Sequence, residues 1–462
     1  TYWAINGFFF RFNYNYKQRY LLEVNGRYDG SSKFAKDHRY AFFPSVSAAW
    51  RISEENFWQP LKGWWNDMKI RGSYGSLGNQ VMDDLGNFPY LATYGTNSSY
   101  NYLINGSKPV IVKAPGLVAP DFTWETVTQM DFGFDASFLN NRLTGTFDWY
   151  RRNTKDMLVA GATLPATLGA SVPKSNSADM KTIGWELSLG WNDRLENGFS
   201  YWVKGVLSDY QATITKYAGN DAGFYSQSDG DGKYYVGQKI GEIWGYHSNG
   251  LFQSDDEAAT IDQSELYAGK WGAGDVKYED LDNDGKITKG EETIYNPGDK
   301  SIIGNKTPRY QFGITVGFDY KNFDFEMFWQ GTGKRDYMLS GAQFWGFTSQ
   351  WDVPYTPALD YWTETNTDAY FPRPGWQNGG NRVTSDRYLQ SAAYGRLKNL
   401  TVGYTIPKNL TTKWGISRLR LYVTGENLLT ITPLNDAFDP ETLGGMTYPI
   451  NRKVAIGLNL TL

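Results

Sequence analysis

The feature that most constrains this chain is a two-residue alternation of apolar and polar side chains, repeated in segments of roughly ten residues. Phe8, Phe10, Phe12, Tyr14 and Tyr16 interleave with Arg11, Asn13, Asn15 and Lys17, and after a tight turn Tyr20, Leu22, Val24 and Tyr28 interleave with Glu23, Asn25 and Arg27. Successive side chains of a strand point to opposite faces, so each segment reads as a strand with one apolar, aromatic face and one polar face. The pattern returns at 132–138 with 143–149, at 183–191 with 199–207, and at 310–320 with 323–329. Weaker pairs are 40–51 with 68–77 and 395–406 with 417–428, and the chain finishes on Val454, Ile456, Leu458, Leu460 and Leu462. No stretch approaches the roughly 18 to 20 apolar residues of a membrane-spanning helix. A transmembrane β-barrel passes that test, because only every second residue faces lipid. A mean hydropathy of −0.53 alongside 17% aromatic residues is therefore compatible with a membrane protein.

Loop lengths separate a barrel from a soluble sandwich. Connections inside the pairs are mostly short (17–19, 139–142, 192–199, 320–323), whereas those between pairs are long: 78–126, 152–181, 211–308 and 332–394. Outer-membrane barrels turn tightly on the periplasmic side and carry long loops outside, so one rule explains the series. Trp58, Trp64 and Trp65 cluster at a turn, where amphipathic rings suit a bilayer interface. The expected fold is all-β, a transmembrane antiparallel barrel of about thirteen strands. Single-chain bacterial barrels usually have an even count, and an unpaired edge facing lipid is not viable. Residues 1–462 are therefore expected to be the C-terminal part of a larger barrel, with the upstream part of the same barrel and the lipid bilayer as partners.

Net charge of −4 gives no basic footprint for nucleic acid, and the absence of Cys removes disulfides, thiolate metal sites and thiol nucleophiles. Catalysis has little to stand on. His38 and His247 sit in loop-like contexts without a nucleophile motif, no carboxylate pair stands out, and no catalytic residue is assigned. Asp280-Leu281-Asp282-Asn283-Asp284-Gly285-Lys286-Ile287-Thr288-Lys289-Gly290-Glu291 matches the twelve-residue calcium loop, with Gly at the sharp turn. Asp280, Asp282, Asp284, the Lys286 carbonyl, Thr288 and Glu291 would supply the oxygens of a structural Ca²⁺ site. The competing reading is a solvated acidic turn. The loop 332–394 concentrates aromatics, and Phe344, Trp345, Trp351, Tyr361 and Trp362 are candidate platforms for sugar rings. Packing of the loop itself is the competing explanation.

Several stretches resemble the SusC/RagA family of TonB-dependent outer-membrane transporters. They include Arg19 to Phe34, Phe43-Pro44-Ser45-Val46-Ser47, Lys69 to Gly75, Gly274-Asp275-Val276-Lys277-Tyr278, Leu397 to Pro407, Gly425-Glu426-Asn427-Leu428 and Asp439-Pro440-Glu441. The resemblance implies a plugged barrel of twenty-two strands in the bacterial outer membrane. It also implies a SusD-like lipoprotein lid, energy from TonB through an N-terminal region not present here, and import of oligomeric nutrients. Oligosaccharides are the first expectation for the solute and oligopeptides the second. A surface carbohydrate-binding β protein that transports nothing is the alternative from another class.

Overall fold

The structure is a computed structural model that describes residues 2–462, apart from 81–85, 98–102, 105, 109, 120, 162–163, 226–233, 376–377, 444–447 and 449. In chain order the strands are β1 (Ile5–Tyr16), β2 (Tyr20–Ser31), β3 (Tyr40–Arg51), β4 (Trp65–Asn79), β5 (Gly95–Asn97), β6 (Ile111–Lys113), β7 (Glu125–Phe138) and β8 (Leu143–Ala160). They continue with β9 (Lys174–Arg194), β10 (Ser200–Tyr217), β11 (Glu242–Tyr246), β12 (Ser248–Leu251), β13 (Val276–Tyr278), β14 (Lys300–Asn305) and β15 (Arg309–Tyr320). The last are β16 (Phe323–Lys334), β17 (Asp336–Met338), β18 (Leu389–Ser391), β19 (Tyr394–Thr405), β20 (Arg418–Ile431) and β21 (Lys453–Thr461). Thirteen of them form one sheet in the order β1-β2-β3-β4-β7-β8-β9-β10-β15-β16-β19-β20-β21, every neighbour antiparallel. The other strands make small two-stranded sheets within the connections.

Register makes the two faces of this sheet continuous. Trp50, Ile70, Phe134, Phe147, Leu187, Leu207 and Phe312 are successive partners across seven strands. One residue along, Arg71, Gly133, Asp148, Glu186, Ser208, Gln311 and Thr332 are partners on the other face. A slip of one residue at any pair would exchange these rows, so the alternation itself fixes the register. On the polar face opposite charges pair between strands. Lys69 Nζ lies 2.7 Å from Asp135, Arg71 Nη2 donates to Asp148 at 2.6 Å, and Arg420 Nε donates to Asp324 at 2.9 Å. The apolar face stays open, with Phe132, Tyr74, Ile314 and Val423 exposed. An aromatic sheet face of this extent is stable only where something apolar covers it, and a bilayer does so.

Tight ends and long ends separate as the sequence suggests. At the β1–β2 turn Lys17 and Gln18 both have positive φ (50° and 57°) and Arg19 N–H donates to the Tyr16 carbonyl at 2.9 Å. Those are the marks of a type I′ hairpin turn, whose twist matches the strands. Beside the β3–β4 turn the Trp58 and Trp65 rings meet edge to face with centroids 4.7 Å apart, Trp58 being buried and Trp64 exposed. At the opposite end the strands overrun the expected loops. The stretch 152–181 is not a loop throughout: β8 continues to Ala160 and β9 begins at Lys174, and only 161–173 connects them. The 21 residues of β9 span about 70 Å, well beyond the roughly 9 to 11 residues that cross a bilayer, so this hairpin projects past it.

The largest hydrophobic core lies outside the thirteen-stranded sheet. Tyr246, Val276, Tyr278 and Ile287 from 218–308 pack with Phe344, Trp345, Trp362, Phe371 and Tyr388 from 335–393, and with Leu434 and Phe438 beyond β20. Three connections on the same side of the sheet thus fold into one lobe. Phe34, Phe43, Phe122 and Trp124 form a smaller core that ties 32–39 to the segment before β7.

Candidate functional site

The outer lobe holds the residues that the sequence singles out. Its acidic loop is turned by Gly285 (φ +84°) and by Asn283, also at positive φ (61°). Backbone N–H groups point inward at the carboxylates: Asp280 accepts from Asn283 and Gly285, each at 2.7 Å, and Asp284 accepts from Lys286 at 2.8 Å. Carboxylate oxygens of Asp280, Asp282 and Asp299 come within 4.8 Å of one another. Asp299 lies beyond the twelve-residue motif and no pattern in the sequence pointed to it. It is 1% exposed and accepts from Leu281 N–H (2.8 Å) and Thr288 N–H (2.7 Å), so it closes the base of the loop. Glu291, expected at the closing position, is exposed, its N–H donating to the Asn296 carbonyl at 3.0 Å, and neither it nor Asp284 is in the cluster. Thr288 contributes backbone groups to Asp299, and Lys286 lies between the turn and buried Ile287.

Electrostatics differ between the two carboxylates of the turn. Desolvation acts against the Asp280 charge, yet three backbone N–H donors bring its carboxyl below the usual range. Desolvation and the neighbouring Asp284 push the Asp282 carboxyl up. Hard oxygen donors around a turn of N–H groups fit a calcium-like ion, with Asp280, Asp282 and Asp299 as the carboxylates that would hold it.

The five candidate aromatics divide by burial. Phe344 (1% exposed), Trp345 (8%) and Trp362 (9%) are interior residues of the lobe. Phe344 meets Trp345, Phe371 and Tyr388 edge to face, and Trp345 meets Tyr388 with centroids 4.6 Å apart. Burial of these three rings in the lobe favours packing, the competing explanation for them, over a role as ligand platforms. Tyr361 is half-buried against the same core, and Trp351 is 83% exposed.

A second acidic anchor, Asp275, was also missed as a site residue. It is buried and accepts from Gly272 N–H (2.9 Å), Arg373 (3.2 Å), Asn378 (3.2 Å) and Asn381 (2.8 Å), which crosslinks the two largest connections. His247, placed in a loop-like context by the sequence, has partners on both ring nitrogens. Its Nδ1 is 2.7 Å from Asp386 Oδ2 and its Nε2 is 2.7 Å from Ser301 Oγ. The order carboxylate, imidazole, hydroxyl is that of acyl-transfer enzymes. There, however, the orienting carboxylate is buried, and here the Asp386 side chain is 40% exposed. We read the line as an interlock between β11–β14 and the segment before β18.

Residues 1–428 match the family model described as TonB dependent receptor-like, beta-barrel. The chain belongs to the TonB-dependent receptor-like β-barrel family. TonB-dependent receptor P3 of Formosa agariphila is 31% identical over 492 residues, covering 98% of this chain and 45% of that protein. TonB-dependent receptor P26 of the same species is 30% identical over 477 residues, covering 99% and 46%. TonB-dependent receptor SusC of Bacteroides thetaiotaomicron is 28% identical over 460 residues, covering 98% and 43%. The chain thus spans a little under half the length of these relatives. A solved structure of the RagAB peptide transporter superposes with a TM-score of 0.77 at 23% identity, covering 99% of this chain and 48% of that one. This likeness shows the fold. The resemblance to the SusC/RagA family accordingly stands, and with it an outer-membrane location for this TonB-dependent barrel chain. In this setting the apolar sheet face meets lipid and the polar face lines the lumen.

Proposed function

We propose that the whole protein imports oligomeric nutrients, oligosaccharides first, across the outer membrane, energised through TonB and capped by a SusD-like lipoprotein. The observation that carries this reading is the folded outer lobe above a continuous polar sheet face. A barrel that only needed to span the membrane has no use for a structured mouth with its own hydrophobic core. The open sheet supports a further element of the proposal. Among the described residues β1 and β21 do not pair with each other, so strands from the rest of the protein would close the barrel. The domain reading, one portion of a larger plugged barrel with external connections, belongs to the same proposal, the connections now bounded by the strands as 80–124, 161–173, 218–308 and 335–393. Calcium is proposed as a structural ion in the 280–299 loop. Trp351 and Tyr361 stay candidates for ligand contact.

The test is uptake of fluorescent hexasaccharides by cells carrying the full-length gene, with and without a protonophore. Energy-dependent accumulation of a sugar supports the reading, accumulation of labelled hexapeptides instead moves it to oligopeptides, and retention at the surface without uptake makes the protein a binding module.

A further inference from the structure

The polar face of the sheet carries a depression of about 500 Å³ where β10, β15, β16 and β19 reach the long connections. That volume is within the usual 300 to 1,000 Å³ of small-ligand sites. Register builds it. Ser208, Gln311, Thr332 and Tyr394 are successive partners on this face, and Val206, Gly313 and Gln330 are partners in the next row. One row further, Phe328 stands opposite Thr315 and leans back over Gly313, its Cε2 and Cζ 3.3 and 3.6 Å from where a Cβ at that position would be. A side chain at 313 would push the ring away, so the glycine lets it lie against the sheet. No other ring touches Phe328 among the described residues, and the ring lines the depression. Arg396 follows Gln330 in the second row but is covered by its pairing with Asp439 and Glu441, so Pro440 and Glu441 form a side wall.

Elsewhere on this face opposite charges pair between strands, as Lys69 does with Asp135 and Arg420 with Asp324. Here the floor is uncharged and its hydrogen-bonding groups are unspent. The Gln311 and Gln330 amides are exposed, and neither makes a side-chain hydrogen bond among the described residues. The charges stand at the margin: Glu441 is held by Arg396 at 3.1 Å and Lys398 at 2.9 Å, and Arg335 Nε donates to the Lys306 carbonyl at 3.1 Å. A ring beside two free amides suits a pyranose, whose C–H face stacks while its hydroxyls both donate and accept. We infer that this depression is a subsite for a neutral sugar unit on the lumen wall, with Phe328 as the platform and Gln311 and Gln330 as the hydroxyl partners. The inference rests on the proposed oligosaccharide import and names where the chain meets its substrate. Docking of the upstream part of the protein on the same patch is the competing outcome.

Calorimetry on the full-length transporter with its lid partner tests this, using hexamers of glucose, of mannose and of galacturonate, with hexaalanine as a fourth probe. At least one neutral hexamer is expected to bind more tightly than the galacturonate hexamer. Phe328→Ala should cost about tenfold of that affinity, and Phe328→Tyr, which keeps the ring, should retain most of it. Gln311→Ala combined with Gln330→Ala should also cost about tenfold, and removing two exposed amides without partners leaves the fold intact. Neutral binding unchanged in both the Phe328→Ala and the double amide variant, or tighter binding of the galacturonate hexamer, overturns the inference while the oligosaccharide reading stands. A lower thermal midpoint in the double amide variant with sugar affinity unchanged also overturns it and assigns the patch to the upstream part of the protein. Binding of hexaalanine alone, or of none of the sugars, overturns both.

Discussion

At the scale of single residues, the lobe turns on a few side chains whose roles differ from their sequence motifs. Asp299 accepts two backbone N–H groups from within a buried site, and its loss leaves both without an acceptor, at about 1 to 3 kcal/mol each. Asp299→Ala should therefore expose the 280–299 segment to protease even with calcium present, whereas Glu291→Ala should leave the digestion pattern unchanged. If Glu291→Ala opened the loop as fully as Asp299→Ala, the ligand assignment made from the structure would be wrong and the motif position right. Chelation of the wild-type protein should likewise bring new cleavage near residues 275–300, and an unchanged pattern with no calcium by elemental analysis would remove the ion from the account. The buried aromatics separate in the same way. Phe344→Ala should destabilise the lobe by about 3 to 5 kcal/mol, read as a lower thermal midpoint, while Trp351→Ala, at an exposed ring, should leave that midpoint in place.

At the scale of elements, the strands were legible because both bilayer and lumen impose a period of two on the sequence. Replacing Phe134, Phe147, Val316 or Val423 with Arg should impair membrane assembly, since a lipid-facing cation near the midplane costs about 2 to 4 kcal/mol. Thr146→Arg and Thr315→Arg on the lumen face should assemble nearly normally. Asp135→Arg is a poorer control than its position suggests, because Asp135 pairs with Lys69 and Arg71 and a third cation there would repel both. Equal damage at Val316 and Thr315, followed by heat-modifiable gel mobility, would mean the faces are misassigned. The ends of the strands were less legible. Beyond the bilayer nothing enforces alternation, and β8 passes through a positive-φ residue at Asp156 with a register shift before Met157, so 152–160 read as loop. The candidate site was legible only where chain neighbours make it, as at Asp280 and Asp282. Asp299 and Asp275 act through partners that only the folded lobe brings near, and the burial of Phe344, Trp345 and Trp362 follows from packing between connections far apart in sequence.

At the scale of the whole molecule, the sheet has two open edges and one continuous apolar face, and both demand partners. Residues 1–462 expressed alone should aggregate rather than give a heat-modifiable, protease-resistant monomer in detergent, because unpaired edge strands cannot face lipid. The central claim is that this sheet is the wall of an outer-membrane barrel with lipid on one side and water on the other. The chain contains no Cys, so single cysteines placed one at a time along β15 can be read without background. Labelling positions 311 to 319 in outer membranes with a water-soluble maleimide, omitting Gly313 and Gly317 because Val206 and Trp202 fill the space above them, tests the claim most directly. The account predicts a rhythm set by the two faces, with strong labelling at positions 311, 315 and 319 and protection at Phe312, Ile314, Val316 and Phe318. Uniform labelling along the strand, or a rhythm of the opposite phase, would contradict it.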